Sequence, residues 1–185
     1  MKADIERWLR EDGVTLLKEV GIKKGQAVLD FGCRSGNYAI PAAKLVGARG
    51  KVYALDRDED ALDELMEKAG PFALRNIETM GTYGGVEIAL EDASVDVVLL
   101  YDVLHIYYFP AARERRKLLY EVHRVLKPEG LLSVRPTHIE KDQIMTEIES
   151  ANFCLERAYT RRLLDYKRVL EEDEILNFRK KAMDN

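Results

Sequence analysis

A doubly wound α/β fold with a mostly parallel sheet is the expectation for this 185-residue chain. Three observations carry it. The stretch Val28 to Ala43 runs from an apolar strand, through two closely spaced glycines, into a helix of small residues. Val95 to Tyr101 is a nearly continuous apolar run interrupted only by Asp96, as expected of a central strand covered on both faces. Such runs alternate with stretches of helical period. The clearest is Ala111 to Leu126, where Leu118, Leu119, Val122, Val125 and Leu126 form one stripe.

Composition narrows the class. Hydrophobic residues make up 46% and charged residues 34%, enough for a real core in one soluble domain spanning residues 1–185. The formal net charge of −4 gives no electrostatic footprint for nucleic acid. Cys33 and Cys154 form no CxxC pair, so no metal site or disulfide framework is expected, and a reducing cytoplasm is the expected location. No apolar run approaches the ~18 residues of a membrane span. The opening MKADIERWLRED is too charged for a secretory signal.

In chain order, Ile5, Trp8, Leu9, Leu16, Leu17 and Val20 recur at helical spacing. Met1 to Val20 is therefore expected to form one or two short helices, divided at Gly13 and stopped at Gly21. Trp8 is read as a core anchor, with pocket wall as the alternative. Ala27 to Phe31 is the first strand. Gly32 and Gly36 follow it, with Cys33, Arg34 and Ser35 between them. Glycine accepts positive φ and lets a ligand lie against bare backbone. The helix from about Tyr38 to Val46, with Pro41 in its first turn, presents unpaired N–H groups to an anionic or polar ligand. Asp30 is an acceptor suited to a ligand's ammonium group or to ordering the loop. The dinucleotide pattern G-x-G-x-x-G needs a glycine where Arg34 stands, and no P-loop pattern is present.

VLDFGCRSG resembles motif I of the class I S-adenosylmethionine-dependent methyltransferases, usually written VLDxGCGxG. The resemblance continues from about Val14 to Lys180 and is of the small-molecule type. It implies a three-layer, Rossmann-like sandwich with a seven-stranded sheet, whose last strand is antiparallel and inserts between the fifth and sixth. It also implies S-adenosylmethionine as cofactor, with Asp30, Gly32, Cys33 and Gly36 at its methionine end. Residues 1–22 would be capping helices on the cofactor side.

The second strand is Lys51 to Leu55, ending in Asp56. A carboxylate there, 20 residues after Gly36, is placed to accept hydrogen bonds from ribose hydroxyls. Its alternative is an N-cap, a role that Asp58 or Asp60 also fits, for the helix Glu59 to Ala69. Arg57 beside it would suit a 2′-phosphate, but the glycine pattern does not. Asn76 to Met80 is a short third strand. The resembled family often carries an acid just after this strand, near the adenine amino group. Here the chain reads Gly81-Thr82-Tyr83-Gly84-Gly85, which leaves backbone groups at Gly81 or the Thr82 hydroxyl for that contact.

Strand four ends in Tyr101-Asp102-Val103-Leu104-His105, similar to motif IV of the same class. Tyr101 and Asp102 are expected beside the cofactor. His105 is a candidate for removing or hydrogen-bonding an acceptor's proton, with a core histidine as the alternative. Tyr107, Tyr108 and Phe109 read as core and pocket wall. Arg113, Arg115, Arg116 and Lys117 read as the solvated face of the next helix, with an anionic substrate site as the alternative. Lys127 to Gly130 is a turn into strand five, Leu131 to Val134. His138 follows as a second catalytic candidate. Lys141 to Ala151 is a helix, and Cys154 to Thr160 and Ile175 to Arg179 are the last strands, joined by a charged segment.

The motifs favour a small-molecule acceptor, with a protein side chain second. No [DNS]-PP-[YFW] follows strand four and no PC-type cysteine is present, which disfavours nucleic-acid bases. A non-catalytic S-adenosylmethionine-binding subunit is the alternative function, and an NAD(P)-dependent oxidoreductase the third. Neither the acceptor atom nor the oligomeric state is specified by these motifs.

Overall fold

The computed structural model describes residues 2–82, 85–165, 168–169 and 172–181. The chain opens with α1 (Lys2–Arg7), a π-helical turn (Trp8–Asp12) and α2 (Gly13–Val20), which run on without a break. The expected division at Gly13 is therefore corrected. Gly13 has helical dihedrals, and its missing side chain serves close packing instead. A Cβ there would lie 2.8 Å from Pro41 Cγ and 2.9 Å from Trp8 Nε1. Trp8 is a buried anchor whose indole N–H donates to the Asn37 carbonyl at 2.8 Å. Gly21, at φ 118°, ends α2.

The elements that follow are β1 (Ala27–Phe31), α3 (Ala39–Val46), β2 (Lys51–Asp56), α4 (Glu59–Ala69), β3 (Ile77–Gly81), β4 (Val95–Tyr101), α5 (Ala112–Val125), β5 (Leu126–Arg135), α6 (Lys141–Ser150) and β6 (Phe153–Arg161). Next come a two-residue pair, β7 (Leu164–Asp165) and β8 (Arg168–Val169), and then β9 (Asp173–Lys180). The main sheet has the order β3-β2-β1-β4-β5-β9-β6. Only β9 runs against its neighbours β5 and β6, so the seven-stranded, mostly parallel arrangement with one antiparallel strand is present.

Strand pleating sorts side chains to the two faces. Val28, Val52, Val97 and Leu99 meet α2, α3 and α4 on one side. Leu29, Phe31, Val98, Leu100 and Leu132 meet α5 and α6 on the other. This is the three-layer sandwich. Strand order reverses between β1 and β4, where such folds leave a crevice at the carboxyl edge.

Three local expectations change. β5 begins at Leu126, and the Lys127–Gly130 stretch is an irregularity within it, where the pairing with β4 shifts register between Val95 and Val97. Lys127 is held there by Asp96 at 2.9 Å, which also gives the one charge of β4 a partner. The joint between β6 and β9 is more than a charged linker: Leu163 and Leu164 are buried against the first face, and Tyr38 donates to the Leu164 carbonyl at 2.9 Å. Tyr166, Lys167, Leu170 and Glu171 of that joint lie outside the described residues, as do Met1, Tyr83 and Gly84.

The third correction concerns Arg115, which is not on a solvated face. Its side chain is 2% exposed and makes a two-pronged pair with Glu147, both contacts at 2.7 Å. The same guanidinium donates to the Phe109 carbonyl at 2.6 Å, tying α5, α6 and the loop after β4 together. Removing one member of a buried pair strands the other charge. Arg115→Ala is expected to lower stability by about 3–5 kcal/mol in urea denaturation; a loss below about 1 kcal/mol would show that the pair is not an anchor.

Candidate functional site

β1, β2 and β4 all point their carboxyl ends into one cavity of about 220 Å³. Gly32, Asp56, Arg57, Thr82, Tyr101 and Asp102 line it together. Phe31, Arg34, Leu55, Asp58, Gly85, Val103, Tyr108 and Phe109 complete the wall.

The glycine turn is built around the Asp56 carboxylate. Its Oδ2 accepts the Arg34 N–H at 2.7 Å and its Oδ1 accepts the Asp58 N–H at 3.0 Å. The backbone N–H groups of Gly32 and Cys33 donate to the Leu55 carbonyl at 2.7 and 3.1 Å. The Thr82 N–H donates to the Asp56 carbonyl at 3.0 Å. The exit of β2 therefore holds both the β1 turn and the end of β3. Asp58 itself caps α4 through the Ala61 N–H, so capping does not consume Asp56. Each carboxylate oxygen has two acceptor directions, which leaves capacity for a diol in the cavity.

Gly32 and Gly36 meet different needs. Both have positive φ, 75° and 84°. A Cβ on Gly32 would lie 2.8 Å from Val103 Cγ2 at the cavity wall. A Cβ on Gly36 would run into Leu65 Cγ at 2.6 Å, so Gly36 lets α4 approach the turn and does not line the cavity. Arg34, at φ 46°, takes the left-handed conformation without being glycine, with its N–H fixed by Asp56.

Asp30, Cys33 and Gly81 also stay off the cavity wall. Cys33 is buried, and burial foremost pushes its thiol up. Gly81 ends β3 opposite Asp56. Asp30 lies beneath the turn, 2% exposed, bonded by the Ala39 N–H and, among the described residues, with no partner for Oδ2. Burial, with a smaller contribution from the Asp56 charge, pushes its carboxyl up to about 7. A cationic group entering above would relieve that cost.

The two histidines sit beside the cavity, outside its wall. His105 is buried, and its Nδ1 accepts the N–H groups of Tyr107 and Tyr108 at 3.1 and 3.4 Å. That pattern places the ring proton on Nε2, which faces Asp102 Oδ1 at 3.8 Å. Burial pushes the ring below the usual histidine range, against the pull of Asp102. His138 is exposed, edge-on to His105 with centroids 5.5 Å apart. Asp102, at φ 60°, accepts a hydrogen bond from the Thr137 hydroxyl. Tyr101 donates to or accepts from Ser133 at 2.9 Å.

The residues not singled out in advance, Phe31, Leu55 and Val103, all adjoin strand ends that were. The rule that ligands bind beyond the carboxyl ends of parallel strands would have found them. Among the described residues, no group of three or more His, Cys, Asp or Glu is arranged to hold a metal ion. None of the described helices is long and apolar enough to cross a membrane.

At the cavity wall Asp56 offers further acceptor directions to a polar ligand, and the Gly32 turn leaves bare backbone beside it.

Comparison with known proteins agrees. Residues 28–130 match the family described as "Methyltransferase domain". A demethylmenaquinone methyltransferase from Staphylococcus aureus is 30% identical over 119 residues, covering 63% of this chain and 45% of that protein. The chain thus matches about half the length of the curated relatives. A SAM-dependent methyltransferase from Aquifex aeolicus has the same fold, with TM-score 0.72 and 23% identity over 97% of this chain and 98% of that one. A methyltransferase structure from Bacillus halodurans gives TM-score 0.73 and 18% identity, covering 92% and 99%.

Asp30 makes stability depend on pH. Its unfolded carboxyl ionises near 3.9 and its folded one near 7. Between those values the folded state holds a proton that the unfolded state has released. The Asp30 contribution therefore falls as pH rises from about 4 to 7 and is flat above. Asp30→Asn is expected to stabilise the ligand-free protein at pH 8 by on the order of 3–4 kcal/mol and to flatten its melting temperature between pH 5 and 8. Parallel pH profiles for wild type and variant would contradict the assignment.

Proposed function

The chain belongs to the methyltransferase-domain family, class I and dependent on S-adenosylmethionine, and from that premise we propose that it transfers the cofactor's methyl group to a small organic acceptor. The observation that carries the reading is the cavity at the β1/β4 reversal, which brings Gly32, Asp56, Tyr101 and Asp102 to one wall.

S-adenosylmethionine, when bound, would supply the electrophile, a methyl group on a sulfonium. The protein's part is to position and to exclude water. Asp56 receives the ribose hydroxyls, while the turn it organises carries the methionine end. Asp30, ionised when the cationic cofactor is bound, stabilises that charge from below. Thr82 and the backbone near Gly81 face the adenine. Asp102, fixed by Thr137, points its carboxylate toward the acceptor. His105 stands behind Asp102, its Nε2 turned to the carboxylate at 3.8 Å, because its Nδ1 is occupied by backbone N–H groups. His138, on the exposed side, is the second histidine within reach of an acceptor at the mouth.

The acceptor is a small planar ring compound. Support comes from the aromatic wall of Tyr101, Tyr108 and Phe109 and from the 30% identical relative named for a quinone precursor. Both cysteines are free, which fits action in a reducing cytoplasm.

The test is titration calorimetry with S-adenosylmethionine, S-adenosylhomocysteine and NADPH, on wild type and Asp56→Asn. A hydrogen bond to a charged group is worth about 1.5–3 kcal/mol, so the variant should bind the adenosyl compounds at least tenfold more weakly, and NADPH should not bind. Tighter binding of NADPH, or unchanged affinity in Asp56→Asn, would overturn the reading. Methyl transfer to ring hydroxyl or ring carbon acceptors separates an enzyme from a subunit that only binds the cofactor.

A further inference from the structure

Arg57 and Tyr108 come from opposite sides of the crevice. Arg57 is the first residue after β2, and Tyr108 lies in the loop after β4. Both line the cavity, as does Gly32 of the turn after β1, the strand between β2 and β4 in the sheet. The Arg57 guanidinium carbon lies 4.9 Å from the centre of the Tyr108 ring. The His105 ring stacks on Tyr108 as well, with centroids 4.4 Å apart and planes 30° from parallel. Guanidinium and imidazole thus both contact the one phenol ring.

The loop side of that stack is preformed. His105 Nδ1 takes the N–H groups of Tyr107 and Tyr108. The Phe109 N–H returns to the His105 carbonyl at 3.0 Å, and Arg115 holds the Phe109 carbonyl from α5. Arg57 follows β2 directly and is exposed. Tyr108 is 39% exposed, so the stack stands at the mouth of the cavity.

The geometry points to Arg57 and Tyr108 as a bridge across the cavity mouth that retains the adenosyl ligand, with His105 as the positioning residue that holds Tyr108 in place. This rests on the cofactor reading above and adds a retention role that the ribose and glycine contacts do not supply. Arg57 and Tyr108 are both exposed, and an exposed cation–π pair contributes about 0.5–1 kcal/mol, equivalent to roughly a 2- to 5-fold change in rate. A bridge present both with and without ligand must part for entry and for exit. Its loss therefore accelerates both steps and leaves affinity nearly unchanged.

Surface plasmon resonance with S-adenosylhomocysteine on the immobilised 185-residue chain measures both rates. Arg57→Ala and Tyr108→Ala should each raise association and dissociation by about 2- to 5-fold, with the dissociation constant moving less than about 1.5-fold. The double variant should be no faster than either single one, and Tyr108→Phe, which keeps the ring, should behave as wild type. Melting temperatures of the variants report folding separately. Unchanged rates, multiplicative effects in the double variant, or a slower association with lost affinity would each overturn the bridge. Absence of binding by the wild type would overturn the cofactor reading and the bridge together.

Discussion

The Asp56 carboxylate is the joint on which the site depends. One oxygen holds the N–H of Arg34 in the turn after β1, and the other holds the N–H of Asp58 at the start of α4. Hydrogen bonds to an ionised acceptor are stronger than neutral ones, and here they fix two loops from separate strands to one side chain. Arg34 shows the consequence. A residue with a side chain keeps a left-handed backbone in a place where the family motif has glycine, because its N–H has a charged partner. The cost appears next door: Asp56 adds to the burial that holds the Asp30 carboxyl near 7. The turn carries a buried acid whose carboxyl is pushed up to about 7.

The strand-turn-helix core of the fold was legible in the sequence because each signal was local. Val95 to Tyr101 is apolar on both faces and became the central strand. Gly21 ended α2, and Asp58 capped α4. What stayed hidden was set by contacts distant in the chain. Gly13 looks like a helix break, but its reason is Pro41 in α3. Arg115 sits among other basic residues and looks solvated, yet its partner Glu147 lies 32 residues on. Leu163 and Leu164 are embedded in a charged segment and pack under Tyr38 and Trp8.

The same division runs through the site. Residues at strand ends, Gly32, Asp56, Tyr101 and Asp102, were readable because the carboxyl edge of a parallel sheet fixes where they point. Residues on loops were not. His105 and His138 follow strands β4 and β5, yet loop conformation turns His105 inward onto backbone N–H groups and leaves His138 outside the wall. Gly36 carries the motif's signature, but its lack of a side chain admits Leu65. A motif glycine can therefore serve packing as much as ligand contact.

A crystal structure of the chain soaked with S-adenosylhomocysteine tests the central claim most directly. The account predicts the ribose hydroxyls on the Asp56 carboxylate, the amino acid end against the Gly32 turn, and the Arg34 and Asp58 N–H bonds to Asp56 preserved. A ligand bound away from Asp56, or a carboxylate that abandons the turn to reach the ribose, would contradict it.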